Sequence, residues 1–246
     1  MTQLVGILNI TPDSFSDGGQ FFEPEAAIAR ARKLFADGAA LVDVGAESTR
    51  PGALVLTPAA ERARLEPVLP SLLKEFPGRL SLDTYHPETA DWALGLGDLM
   101  INDVTGMNNP KMIEVVTRHG AHCIVSHLPG SDIQAAHSGE LISDIQEVID
   151  DLLAKESLLR AEGLDAENII LDPGIGFGKT PELNQQLLEF AKYLPGKQVM
   201  IGYSRKRFLG DQRMDLEPNL AAGRIAIAAG AAYLRVHDVT GHSSLL

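Results

Sequence analysis

The sequence predicts an α/β fold, a (β/α)8 TIM barrel, and three observations carry that prediction. Short runs rich in Val, Ile and Leu recur eight times along the 246 residues. Each is too short for a helix and does not alternate with polar residues, as expected of strands buried on both faces. Segments of helical periodicity separate the runs, which is the pattern of parallel βαβ units. Eight such units in roughly 250 residues is the size of a barrel, with an open doubly wound sheet as the competing arrangement. No linker, low-complexity stretch or basic tail divides the chain, so residues 1–246 read as one domain.

The strand runs, in order, are Leu4–Leu8, Leu41–Val44, Arg79–Leu82, Leu99–Ile101, His122–Val125, Ile169–Leu171, Val199–Ile201 and Tyr233–Val236. Between them, Glu25–Asp37 follows Pro24 and stops at Gly38, and Thr57–Glu75 opens with Thr-Pro, a cap followed by proline at the first helical position. His86–Leu96 opens with His-Pro and stops at Gly97; Pro110–His119 stops at Gly120 and Asp144–Glu162 at Gly163. Pro181–Tyr193 ends before Pro195-Gly196, and Asn219–Ala229 ends at Gly230. After the eighth run only Val239–Leu246 remains, too few residues for a barrel-scale helix. The barrel is therefore expected to be short at the C-terminus, its eighth helix missing or vestigial. Either the chain is a fragment or part of the last strand pair's outer surface stays uncovered.

Composition narrows the function. A net charge of −12 argues against a nucleic-acid or anionic-membrane surface, so an anionic ligand needs a local cationic pocket. No apolar stretch is long enough to span a membrane, and no basic segment precedes an apolar one as in a secretory signal. The single Cys123 forms no internal disulfide, in keeping with a reducing cytosol, and a cytoplasmic protein is expected.

In a barrel of this kind chemistry gathers at the C-terminal strand ends, where the βα loops converge. Those ends carry Asn9, Asp43, Asp83, Asn102-Asp103, Ser126-His127, Asp172, Ser204-Arg205-Lys206, Arg235 and His237-Asp238. Asp83, Asn102 and Asp172 suit the ring N–H and amino groups of a flat heterocycle. Arg50, Lys206, Arg235 and His237 form a cationic set matched to phosphate. Together they describe a site for a polar heterocycle carrying phosphate. The loop Thr11–Gly19 either closes over a ligand or forms a tight, capped turn. Asp172–Thr180 superficially resembles a nucleotide-binding phosphate loop, but Pro173 occupies the first required glycine. Its glycines are expected to let backbone approach a ligand, with Phe177 as a wall. His119, His122 and His127, despite their nearness in sequence, are read as structural, as are Cys123 and Trp92.

Seven segments resemble the dihydropteroate synthase family: Gly6–Gly19, Glu47–Gly52, Ser81–Thr84, Ile101–Asp103, Leu171–Lys179, Gly202–Lys206 and Arg235–Asp238. They follow the family's order from the first strand to the last. The resemblance implies a (β/α)8 barrel joining p-aminobenzoate to 6-hydroxymethyl-7,8-dihydropterin diphosphate, with Mg2+ as cofactor. Carried over residue by residue, it implies that Asp83, Asn102, Asp172 and Lys206 hold the pterin. Asn9, Arg50, Arg235 and His237 would hold the diphosphate, with Asn9 also on the metal. Thr49, Pro51, Phe177 and Ser204 would frame p-aminobenzoate, and Asp13 would help close the site. Asp13, Arg50, Lys206, Arg235 and His237 are the expected catalytic residues, and Arg235→Ala is expected to harm turnover far more than folding. A homodimer formed through late helices is a further implication; the family is a sulfonamide target, and whether this pocket is sensitive is left open by the sequence. The family's usual second glycine is Ala46 here, and its usual Met before the fifth-strand His is Ser126, which could loosen one wall of the pterin pocket. The alternatives are a pterin-binding methyltransferase domain and a non-catalytic pterin-binding relative.

Overall fold

Each apolar run becomes a strand. A computed structural model of the chain describes residues 1–10, 24–49, 52–130, 133, 136 and 139–246. Among these, eight parallel strands close into one barrel in chain order: β1 (Gln3–Asn9), β2 (Leu41–Gly45), β3 (Leu80–Asp83), β4 (Met100–Asp103), β5 (Cys123–Ser126), β6 (Ile169–Asp172), β7 (Gln198–Ile201) and β8 (Tyr233–Val236). β1 pairs with both β2 and β8 and so closes the ring. The fold is the TIM barrel that the sequence predicts, and the open sheet is set aside.

Helices α1 (Pro24–Ala36), α2 (Pro58–Leu65), α3 (Leu69–Glu75), α4 (Pro87–Leu94), α5 (Pro110–His119), α6 (Ile145–Ala161), α7 (Pro181–Gln186), α8 (Leu216–Ala228) and α9 (Val239–Ser243) lie between and after the strands. Short polar side chains start several of them: Thr57, Asn109, Asp144 and Thr180 each accept a hydrogen bond from a first-turn backbone N–H. Gly120 ends α5 in the left-handed region at φ 59°.

Two expected helices divide. Thr57–Glu75 is α2 and α3, separated at Glu66–Val68, because Pro67 has no N–H to give the preceding turn. Pro181–Tyr193 is α7 followed by a 3-10 segment, Leu187–Tyr193, with a non-helical Glu189 inside it. The helix expected from Asn219 begins earlier, at Leu216. After β8, α9 is a single turn whose Val239 and His242 are buried; a side chain at Gly6 in β1 would press on Val239 at 3.2 Å.

The core has two shells, with a small satellite of Val104, Leu128, Ile133 and Ala136 beside them. The larger lies between strands and helices and includes Leu4, Leu34, Val42, Leu69, Leu82, Val125, Leu152 and Val236. The smaller, Val5, Leu41, Ile124, Ile170 and Met200 with Met100 and Tyr233 against it, gathers side chains of separate strands inside the barrel. Side chains two apart on a strand share a face. One step toward the C-terminal ends from Leu41, Met100, Ile124, Ile170, Met200 and Tyr233 therefore stand Asp43, Asn102, Ser126, Asp172, Gly202 and Arg235. An apolar plug closes the lower lumen and a polar layer rests on it.

Candidate active site

The polar layer is built around Asp43, which is fully buried. Its Oδ1 accepts from Ser81 Oγ at 2.5 Å, and its Oδ2 accepts from Asn102 Nδ2 at 3.0 Å and Arg235 Nε at 2.6 Å. A second arm of the same guanidinium, NH2, donates to Asp83 Oδ2 at 2.7 Å. Arg235 thus spans β2 and β3 from β8, reaching across the lumen. Burial pushes Asp83 up to about 7, against the pull of Arg235. Arg235 itself is raised despite burial, because Asp43 and Asp83 hold its charge.

Asp172 sits on the adjoining side. Its Oδ1 accepts from Gly174 N at 2.7 Å, and burial raises its pKa while Lys206 opposes the rise. Gly202 lies between Asp172 and Arg235: a Cβ there would make ordinary contact with Asp172 Oδ2 at 3.5 Å and Arg235 Cβ at 3.9 Å. Lys206 is pushed down to about 8 by burial, with Asp172 and Asp83 drawing it up and Arg235 pressing it lower. Its Nζ donates to Ile175 O and lies 4.7 Å from the Phe177 ring centre. The preceding residue, Arg205, takes a left-handed φ of 62°, and its N–H donates to Asn219 Oδ1 at 2.9 Å. This strained turn sets Ser204 and Lys206 on either side of it. Ser204 Oγ accepts from His237 N at 3.3 Å and lies 3.0 Å from His237 Nδ1.

Asn9 ends β1 half-buried, across Gly45 from Asp83. A Cβ at Gly45 would meet Asp83 Oδ2 at 3.7 Å and Asn9 Oδ1 at 3.8 Å. Asp83, Asn102, Arg235 and Asn9 are therefore brought together, Asp172 with Lys206, Lys206 with Phe177, and Ser204 with His237. Thr49 is half-buried on the loop after β2, on the opposite side of the ring from β6. Asp13, Arg50 and Pro51, and the possible closing loop Thr11–Gly19, lie outside the described residues. One expectation is corrected. Arg235 and Lys206 do not stand apart as a cationic group; they interleave with carboxylates, because a buried charge needs a partner.

Sequence reasoning placed Asp43 at a strand end and gave it no role. It also missed a clasp beside the loop carrying Thr49. Glu47 accepts from Leu56 N at 3.1 Å and Tyr85 Oη at 2.5 Å, and lies 3.0 Å from His86 Nε2. Against the upward push of burial, hydrogen bonds from His86 and Tyr85 hold Glu47 below the usual carboxylate range. Of the histidines read as structural, His119 pairs with Asp91, His127 is buried and pushed down to about 3 by desolvation and the Lys179 and Lys155 charges, and His122 is exposed just before β5. Cys123 is buried and free, and Trp92 packs on the outer core.

Known proteins share this fold. The family model described as pterin binding enzyme matches residues 5–237. The dihydropteroate synthase of Bacillus subtilis (strain 168) is 36% identical over 247 residues, covering 97% of this chain and 84% of the relative. A solved dihydropteroate synthase of Xanthomonas albilineans with 4-aminobenzoic acid superposes with TM-score 0.88 at 36% identity, covering 99% of this chain and 90% of that one. That of Thermus thermophilus in complex with 6HMPPP superposes with TM-score 0.83 at 34% identity, covering 99% and 90%. This chain belongs to the pterin-binding enzymes and, within them, to the dihydropteroate synthases.

Proposed function

We propose that the chain condenses 6-hydroxymethyl-7,8-dihydropterin diphosphate with p-aminobenzoate, giving 7,8-dihydropteroate and diphosphate in folate biosynthesis. The observation that carries this reading is the lumen layer, where Asp83, Asn102 and Asp172 converge beside the Arg235 fork and Lys206. A pterin edge of ring N–H and amino groups satisfies Asp83 and Asp172, and Asn102 supplies both a donor and an acceptor. Lys206 reaches the same ring from the loop after β7.

In the reaction the methylene C–O bond to diphosphate breaks and a C–N bond to the p-aminobenzoate amine forms, with the amine proton released. Electrons of the dihydropterin nitrogens assist departure. Asp83 and Asp172 stabilise the positive charge that grows on the ring, and Arg235, His237 and Arg50 neutralise the departing oxygens. Thr49, Pro51, Phe177 and Ser204 frame p-aminobenzoate, so that attack needs position more than a strong base. Asp13 closes the site.

Magnesium fits the donor set: Asn9 offers a hard amide oxygen beside Asp83. Among the described residues no cluster of His, Cys, Asp or Glu would hold a metal alone, which suits an ion that keeps water and phosphate ligands. When bound, it supplies charge neutralisation at the diphosphate. Among the described residues no helix is long and apolar enough to cross a membrane. A cytoplasmic homodimer assembled through the late helices is the accompanying proposal. The exposed Met214 and Leu216 at the start of α8 offer apolar surface for it, and sedimentation would report a single-barrel mass if it is wrong.

The test is diphosphate release from the two substrates with Mg2+. Turnover that needs both substrates and is competed by a sulfonamide is expected; release without p-aminobenzoate would mean hydrolysis instead of condensation.

A further inference from the structure

The β6–α7 loop, Pro173–Thr180, carries glycines at 174, 176 and 178, all at positive φ, and a lysine whose side chain turns back into the loop. Lys179 is 5% exposed. Its Nζ donates to Gly174 O at 2.9 Å, Phe177 O at 3.0 Å and His127 O at 3.3 Å. An ammonium has three protons, and the three carbonyls use all of them. Among the described residues no carboxylate accepts from it; backbone carbonyls hold the cation.

Those carbonyls belong to the peptides that aim the site. Gly174 also gives its N–H to Asp172 Oδ1. Ile175, between the tethered residues, offers the carbonyl that receives Lys206 Nζ, and Phe177 carries the ring over which Lys206 lies. The third carbonyl, on His127, ties the loop to the end of β5, and the space is tight: a Cβ at Gly174 would lie 2.1 Å from His127 O. Asn184 secures the outer side, accepting from Gly176 N and donating to Lys179 O and Thr180 O.

We infer that Lys179 is a positioning residue for the p-aminobenzoate pocket: its buried ammonium gathers three carbonyls and so fixes Phe177 and, through Ile175, Lys206. This rests on the proposed function, specifically on Phe177 framing p-aminobenzoate. The lysine of the false phosphate loop thus serves the loop's own backbone instead of a phosphate.

The test compares Lys179→Met with wild type in steady-state turnover below about pH 7, where Lys179 carries its third proton, varying p-aminobenzoate at saturating dihydropterin diphosphate. Misplacing a pocket wall by about 1 Å costs up to about 100-fold, so KM for p-aminobenzoate should rise at least about 10-fold, and any fall in kcat, transmitted through Lys206, should be smaller than that rise. Lys197→Met serves as the control for lost stability alone. It breaks the Lys197–Glu156 ion pair of 2.6 Å, which precedes β7 at the far end of the barrel, and should lower the melting temperature without moving KM. If Lys179→Met does not fold, Lys179→Gln, which keeps two of the donors, should show a smaller rise in the same KM. A wild-type KM in whichever variant folds overturns the inference. A rise matched by Lys197→Met overturns it too. Wild-type protein that does not condense the substrates defeats the proposed function instead, and the two failures are distinct.

Discussion

Asp43 and Arg235 show how a buried pair can be functional without being an independent cation site. Removing Arg235 leaves Asp43, fully buried, and Asp83, mostly buried, without their cationic partner; breaking such a pair costs roughly 3–5 kcal/mol. The expectation that Arg235→Ala harms turnover far more than folding is therefore revised: the variant should lose stability by that amount in urea denaturation as well as activity. Arg235→Lys keeps the charge but not the fork that reaches two carboxylates. It should retain more stability than the alanine variant while its kcat/KM stays at least about 100-fold down, the scale of one lost oxyanion-stabilising donor. Full activity in Arg235→Lys would show that charge alone suffices. At this scale the sequence was partly legible. Asp83, Asn102 and Asp172 drew roles from their strand-end positions, but Asp43, also at a strand end, drew none. Its partners Ser81, Asn102 and Arg235 are 38, 59 and 192 residues away, and no local spacing reports such bonds.

Among elements, the strands were legible nearly to the residue because an apolar run bounded by turn residues has few other readings. Their alternation was not. Helices cover the outer face and the lumen plug covers half of the inner one, so both faces read as apolar until the last two positions. The broken helices had a signal that periodicity masked: Pro67 lies in the middle of the apparent helix Thr57–Glu75. Loop glycines divide by what surrounds them. Gly130 and Gly174 both have positive φ, 71° and 64°, but a Cβ at Gly130 meets nothing within 4 Å and one at Gly174 strikes His127 O. Gly130→Ala should cost about 1 kcal/mol, the conformational term alone. Gly174→Ala should cost several-fold more and raise substrate KM, since the collision displaces the loop holding Phe177. Equal melting temperatures for the two would contradict this packing.

For the molecule as a whole, pH reports the buried cations. Lys179 is pushed from 10.5 down to about 7, chiefly by burial and then by the Lys206 charge. A depressed ammonium binds its proton less tightly in the folded chain than in the unfolded one. Its contribution to stability is thus complete above about 10.5 and lost as pH falls through about 7. Between those limits stability should rise with pH, by at most about 1.4 kcal/mol per unit for one group. Lys179→Met removes that share, so urea-melt free energies of wild type and variant should converge or cross along this window. Parallel curves would show that Lys179 keeps an ordinary pKa.

The whole account rests on one barrel mouth joining two small molecules. The most direct measurement follows dihydropteroate and diphosphate together from one wild-type reaction containing dihydropterin diphosphate, p-aminobenzoate and Mg2+. The account requires the two products to appear in equal amounts, and neither when p-aminobenzoate is omitted. Diphosphate without dihydropteroate, or no turnover from protein shown to be folded, would contradict it.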